Sequence, residues 1–151
     1  MHALIVVAHP DPNSLTHNVA AKIAEGICLS GAGTFEVADL AAEKFDPRFT
    51  STDIAVHQME APAPKDIAAE QLRIDRASEL VLVYPVYWWS MPALLKGWID
   101  RVFTNGWAYD YGADSKLVKR LSHLPVHLVA VGGGLVPLSH VSCGGFGDGA
   151  P

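Results

Sequence analysis

A chain of 151 residues, half of them hydrophobic, has the size of one compact domain and can bury a substantial core without metals or disulfides. Its formal net charge of −5, with no long basic run, gives no electrostatic footprint for nucleic acid or an anionic membrane and leaves small molecules or other proteins as partners. Cys28 and Cys143 have neither metal-ligand spacing nor disulfide density, and the apolar run after Met1-His2 is too short for a signal peptide or a membrane span, so free thiols, no metal and a cytoplasmic address are expected.

The run Ala3 to Ala8 is continuous and β-branched, the pattern of a parallel strand covered on both faces. His9-Pro10-Asp11-Pro12 ends it, since two prolines remove ladder donors, and Asn13 or Ser14 can cap a helix running to about Ser30. Gly31 and Gly33 stop that helix, and Thr34 to Ala38 alternates as a short strand nearer an edge. From Asp39 to about Pro64 the pattern dissolves into acidic residues and prolines, a length that in a small domain points to function or mobility.

Ile67 to Ala77 reads as an amphipathic helix and Leu80 to Tyr84 as a buried strand closed by Pro85. After an aromatic loop, Pro92 sits where a helix can begin, and Ala93 to Phe103 supplies its apolar face, with Gly97 inside it for close packing. A short helical piece is expected near Lys116 to Leu121, then a fourth strand from Val126 to Val131 and the glycines Gly132 to Gly134. Strands alternating with helices predict an α/β, doubly wound parallel sheet in three layers, whose ligands bind beyond the carboxyl ends of the strands.

Three loops therefore matter. The first offers His9, Asn13, Ser14, Thr16, His17 and Asn18 at a helix start, where N–H groups, hydroxyls and the positive dipole end suit a phosphate; equally, Ser14 is a cap and His9 a turn residue. It lacks the glycines of the dinucleotide and Walker fingerprints. The second, Pro85-Val-Tyr-Trp-Trp-Ser-Met-Pro92, carries three adjacent aromatics that cannot share one core, and a flat heteroaromatic ring suits it better than core or dimer packing. Met91 is read as packing. The third, after Val131, has glycines that permit close approach of a cofactor, and beside these loops the turn-rich segment Gly106 to Gly112 places Tyr109 and Tyr111 on one face if extended, to grip a planar substrate or to meet a second subunit.

Taken together, His9-Pro10 with the helix start after it, the block Tyr84 to Phe103, Trp107-Ala-Tyr-Asp-Tyr111 and Val131-Gly-Gly133 resemble the NAD(P)H:quinone oxidoreductases of the flavodoxin-like superfamily over residues 1 to about 133. The resemblance implies a bound flavin, FAD more often than FMN, NAD(P)H as co-substrate, a quinone-like acceptor, a homodimer with active sites at its interface, and ping-pong hydride transfer. It also implies roles. His9, Ser14, Leu15 and Thr16 hold the phosphate side of the flavin, and Pro85, Val86, Tyr87 and Trp88 run along the isoalloxazine. Trp89 walls the substrate pocket, Tyr109 and Tyr111 reach into the partner's site, and Gly132 and Gly133 pass near the flavin edge.

Where the family continues with another helix, a fifth strand and an active-site histidine, residues 135–151 form a glycine-rich stretch in which His140 matches no motif. A domain over residues 1–134, a poorly ordered tail and a missing fifth strand are the expectations. Some relatives act as ancillary subunits of potassium efflux systems, so a regulatory flavin- or nucleotide-binding module is the second functional expectation and an inactive shortened form the third.

Overall fold

The computed structural model describes residues 1–31, 33–112 and 116–133. The expectations for the tail at 135–151, Cys143 and His140 lie outside the described residues. In chain order the elements are β1 (His2–Val7), α1 (Leu15–Ser30), β2 (Thr34–Asp39), α2 (Ser51–His57), α3 (Lys65–Arg76), β3 (Glu79–Pro85), α4 (Ala93–Val102), β4 (Tyr109–Tyr111), β5 (Leu117–Lys119) and β6 (Val126–Val131).

Among the described residues the main sheet has four parallel strands in the order β2-β1-β3-β6. Alternate residues of the two central strands enter two separate cores, as the period of a strand requires. Leu4, Val6, Leu80 and Leu82 pack with Ile67, Ile74, Leu95 and Trp98 of α3 and α4, while Ile5, Val7, Val81 and Val83 pack with Ala20 and Ala24 of α1. The result is the three-layer α/β arrangement expected. Both central strands are buried on both faces, which is why they read as unbroken apolar runs.

Helix boundaries follow local chemistry. Ser14 caps α1, its side chain accepting the His17 N–H, and Gly31 ends it in the left-handed region at φ 61°. Gly97 lies under the loop carrying Pro47: a Cβ there would run into the carbonyl oxygen and ring of Pro47, so the close packing expected of this glycine is real. Met91 packs against the core, as expected.

Two expectations need correction. The stretch Asp39 to Pro64 is not patternless, because it contains α2, which is fixed by its start rather than by an apolar period. The N–H and hydroxyl of Thr50 both donate to Asp53 Oδ2 at 2.7 Å, and the same carboxylate accepts Arg101 Nε from α4 at 2.9 Å. The helical piece expected near Lys116 to Leu121 is instead β5, paired antiparallel with β4 through Tyr109↔Lys119 and Tyr111↔Leu117. A single isolated turn of helix nucleates poorly, whereas a ladder with an existing strand satisfies the same backbone groups.

Candidate functional site

The chain leaves β1 toward β2 on one side and returns to β3 on the other, so the strand order reverses between β1 and β3. A crevice opens at such a point beyond the carboxyl ends. The two strand ends are tied together there, Ala8 N–H donating to Val83 O at 3.1 Å, and the loop after β3 is tied to β6 by Val86 N–H to Val131 O at 2.9 Å. The loops after Ala8, Tyr84 and Val131 thus start from the carboxyl ends of the sheet strands, whereas Gly106 to Gly112 follows α4.

In the first loop the structural roles are filled. His9 Nδ1 accepts the Asp11 N–H at 3.0 Å, turning the chain, and Ser14 caps α1. Leu15 is exposed and Thr16 buried, so of the expected phosphate-side residues Thr16 has its side chain turned inward. Of the first-turn N–H groups of α1 that of His17 is taken by Ser14 Oγ, while those of Leu15 and Thr16 have no intrahelical acceptor and the first turn carries no acidic residue, which leaves this helix end suited to an anion.

A hydrogen-bonded chain runs behind that helix end. Ser14 Oγ lies 3.0 Å from His17 Nδ1, and His17 Nε2 lies 2.9 Å from Asp39 Oδ2 at the end of β2. Burial pushes the Asp39 carboxyl up, but the N–H of Ala42, the His17 ring and the N–H of Ala41 together outweigh it and hold the group below the usual carboxylate range. Beside this corner, Pro12, Ser14, His17 and Val37 line an open groove of about 490 Å³.

The second loop is a tight reverse turn. Tyr87 and Ser90 exchange both backbone hydrogen bonds, at 3.0 and 3.1 Å, leaving Trp88 and Trp89 as its two central residues with φ of 49° and 60°. Positive φ at both central positions is the signature of a type I′ turn, a place for asparagine and glycine rather than bulky aromatics. The two indoles are 88% and 87% exposed, so packing does not repay the backbone cost. With Val86, Gly132 and Gly133 they line a cleft of about 440 Å³. Pro85 is buried at the end of β3, and Tyr87 is half-exposed.

Tyr109 and Tyr111 do form an extended segment, but within one chain neither lines the tryptophan cleft. Tyr109 is instead held against α2, its hydroxyl 3.3 Å from His57 Nδ1, while His57 Nε2 lies 3.1 Å from Asp100 O. Tyr111 is half-exposed. The structure therefore gathers Val86, Trp88, Trp89, Gly132 and Gly133 in one cleft and His9, Ser14, Leu15 and Thr16 at the helix start, and sets the tyrosine pair apart. Asp39 and His57 were not legible as partners of these residues, because the first lies 22 residues from His17 and the second 52 from Tyr109. Only Thr50-x-x-Asp53 carried a local signal, for the helix that holds His57.

Comparison with known proteins agrees with this fold. A family described as having the flavodoxin-like fold matches residues 1–137. The chain is 34% identical over 127 residues to NAD(P)H dehydrogenase (quinone) 1 of Cavia porcellus, an alignment covering 74% of this chain and 46% of that protein. It is also 34% identical over 131 residues to the glutathione-regulated potassium-efflux system ancillary protein KefF of Salmonella newport (strain SL254), covering 87% of this chain and 61% of the relative. The chain thus spans about half the length of the quinone dehydrogenase it matches. Among solved structures, an NAD(P)H:quinone oxidoreductase from Methanothermobacter marburgensis superposes with a TM-score of 0.78 at 35% identity, over 88% of this chain and 67% of that one. By sequence and by fold, the chain belongs to the flavodoxin-like family that contains the NAD(P)H:quinone oxidoreductases.

Proposed function

We propose that this chain is a flavin-binding NAD(P)H oxidoreductase module that passes a hydride to a quinone-like acceptor. The observation that carries the reading is the turn at Trp88-Trp89, where two exposed indoles occupy positive-φ positions beyond the end of β3. Backbone conformations of this kind persist where a site uses them. Among the solved relatives, an FMN-dependent NADH-azoreductase from Bacillus anthracis is described in complex with FMN, although its 18% identity speaks to the fold alone.

The residues present fit a flavin. The cleft of about 440 Å³ is lined by two flat indoles and by two glycines, Gly132 and Gly133, suited to a planar ring, and the acid-free start of α1 suits a phosphate. When bound, the flavin supplies the hydride-accepting and hydride-donating chemistry. The protein's work is placement: Pro85, Val86, Tyr87 and Trp88 run along the ring, and His9, Ser14, Leu15 and the backbone N–H of Thr16 hold the phosphate side. Trp89 walls the place where NAD(P)H and then the acceptor stack in turn, which makes the kinetics ping-pong. FAD rather than FMN, a homodimer completing the site with Tyr109 and Tyr111 of the second copy, and a cytoplasmic address belong to the same proposal. Among the described residues no helix is long and apolar enough to cross a membrane.

The ancillary relative favours a second reading, a flavin- or nucleotide-binding regulator of a potassium efflux system, because its alignment covers more of this chain than that of the quinone dehydrogenase. Absorbance of the purified protein after incubation with FAD or FMN separates the readings. Flavin that co-purifies and bleaches with NADH, then recovers on adding a quinone, supports the reductase; flavin that stays oxidised with NADH supports the regulator; a colourless protein contradicts the reductase and leaves only a regulator that binds nucleotide without flavin.

A further inference from the structure

We infer that His17 and Asp39 are positioning residues that couple anion capture at the start of α1 to the uptake of one proton; the inference rests on the flavin reading above. The Asp39 carboxyl is held ionised, with Oδ1 accepting the N–H groups of Ala41 and Ala42, both at 3.1 Å, and Oδ2 facing His17 Nε2 at 2.9 Å. A carboxylate only accepts, so Nε2 must carry a hydrogen. In the neutral ring Nδ1 is then an acceptor, and Ser14 Oγ, 3.0 Å away, must give it the hydroxyl hydrogen. The same oxygen accepts the His17 N–H at 3.3 Å as helix cap. In that state the serine turns only a lone pair toward an approaching phosphate.

Protonation of the ring reverses the middle bond. A proton from solvent ends on Nδ1, which now donates to Ser14 Oγ, and the hydroxyl hydrogen is released to turn outward to the anion. No other bond forms or breaks. The charge gained by the ring acts in the same direction as the helix dipole, and the pair is three-quarters or more buried, with side chains 18% and 24% exposed. The titratable and charged groups facing His17 are Asp39 from β2 and, from the loop after β1, His9, whose ring meets it edge-on at 6.2 Å between centroids and is itself held by the backbone of Asp11. By linkage the bound anion must in turn favour the protonated ring.

The test uses the full chain and FAD, whose pyrophosphate keeps its charge from about pH 5 to 8, the range in which histidine switches. Calorimetric titration in buffers of different ionisation enthalpy should register net uptake approaching one proton, and affinity should weaken with rising pH by at most about tenfold per unit. His17→Gln should bind FAD with an affinity that varies distinctly less with pH than that of the unaltered protein, and His9→Gln should leave the dependence in place. Because the His17 variant can lose structure, ¹⁵N spectra of the His17 ring in the unaltered protein give the second readout, with FAD and separately with inorganic pyrophosphate. Hydrogen on Nε2 in the free protein and protonation of Nδ1 on adding either anion support the inference. A free ring without hydrogen on Nε2, or no response of Nδ1 to either anion, overturns it. If FAD fails to bind while pyrophosphate protonates Nδ1, the coupling stands and the flavin reading falls.

Discussion

Trp88 and Trp89 share one reverse turn, with their indole rings 5.7 Å apart and inclined at 59°, and both backbones are held at positive φ. For non-glycine residues such conformations cost of order 1–3 kcal/mol each. Replacing the pair by the residues a type I′ turn prefers, as Trp88→Asn with Trp89→Gly, should therefore raise stability in denaturant unfolding. Flavin affinity, read by titration of flavin fluorescence, should fall at least about tenfold, the loss of one good aromatic contact. Lower stability with unchanged flavin affinity would show that the indoles serve packing.

Gly97 is expected to resist the usual helix improvement. In an open helix glycine to alanine gains about 1 kcal/mol. Here the added Cβ meets the Pro47 backbone, which cannot swing aside as a side-chain tip can. Gly97→Ala should lower stability by about 1–3 kcal/mol, the cost of overpacking. Urea unfolding of the variant checks this, and a gain in stability would mean that the loop at Pro47 yields.

The buried pair of Arg101 and Asp53 links α4 to α2 at 2.9 Å, and both residues are buried. Removing Asp53 takes from Arg101 its buried carboxylate partner but leaves it Asp66 Oδ2 at 3.2 Å and the Asp46 carbonyl at 2.8 Å, so Asp53→Ala should cost about 1.5–3 kcal/mol, the range for a hydrogen bond to a charged group. The pH dependence has a definite sign. Burial raises the Asp53 carboxyl, but hydrogen bonds from Thr50 and Arg101 outweigh it and hold the group below its ordinary value. A depressed folded-state pKa contributes stability above the unfolded value, about 3.9, that is lost as pH falls through the folded value. Stability measured from about pH 5 downward should decline, and less steeply in Asp53→Asn than in the unaltered protein.

Tyr109 is tied within its own chain by His57. Tyr109→Phe should cost about 1 kcal/mol for the lost hydrogen bond, measured by thermal unfolding. Turnover of a quinone should fall by more than that stability loss explains if the phenol also serves the partner's site, and stay unchanged if its role ends at His57.

The central strands were legible because burial on both faces leaves unbroken runs such as Ala3 to Ala8 and Leu80 to Tyr84. The helix at Ser51–His57 was not, since its Asp53 is buried for an ion pair and its apolar residues show no period. The strand at Leu117–Lys119 was misread because its three residues gain their form from pairing with Tyr109–Tyr111. At the site, the residue types of Val86 to Met91 pointed to a ligand surface, but the turn was hidden because tryptophan stands where asparagine or glycine marks it. The chain Ser14–His17–Asp39 was invisible for another reason: its second bond joins residues 22 apart, brought together only when β2 pairs with β1.

The most direct measurement of the central claim is a flavin titration of the purified chain followed by tryptophan fluorescence, comparing the unaltered protein with Trp88→Phe and Trp89→Phe. Trp88 and Trp89 are two of the four tryptophans, and the other two, Trp98 and Trp107, pack in or against the core. If the turn cradles the flavin, binding quenches a large share of the emission in the unaltered protein and each substitution removes part of that quenching while the fold persists by circular dichroism. Saturable flavin binding with quenching that is the same in all three proteins would place the ring elsewhere and contradict the account, as would the absence of binding at micromolar flavin.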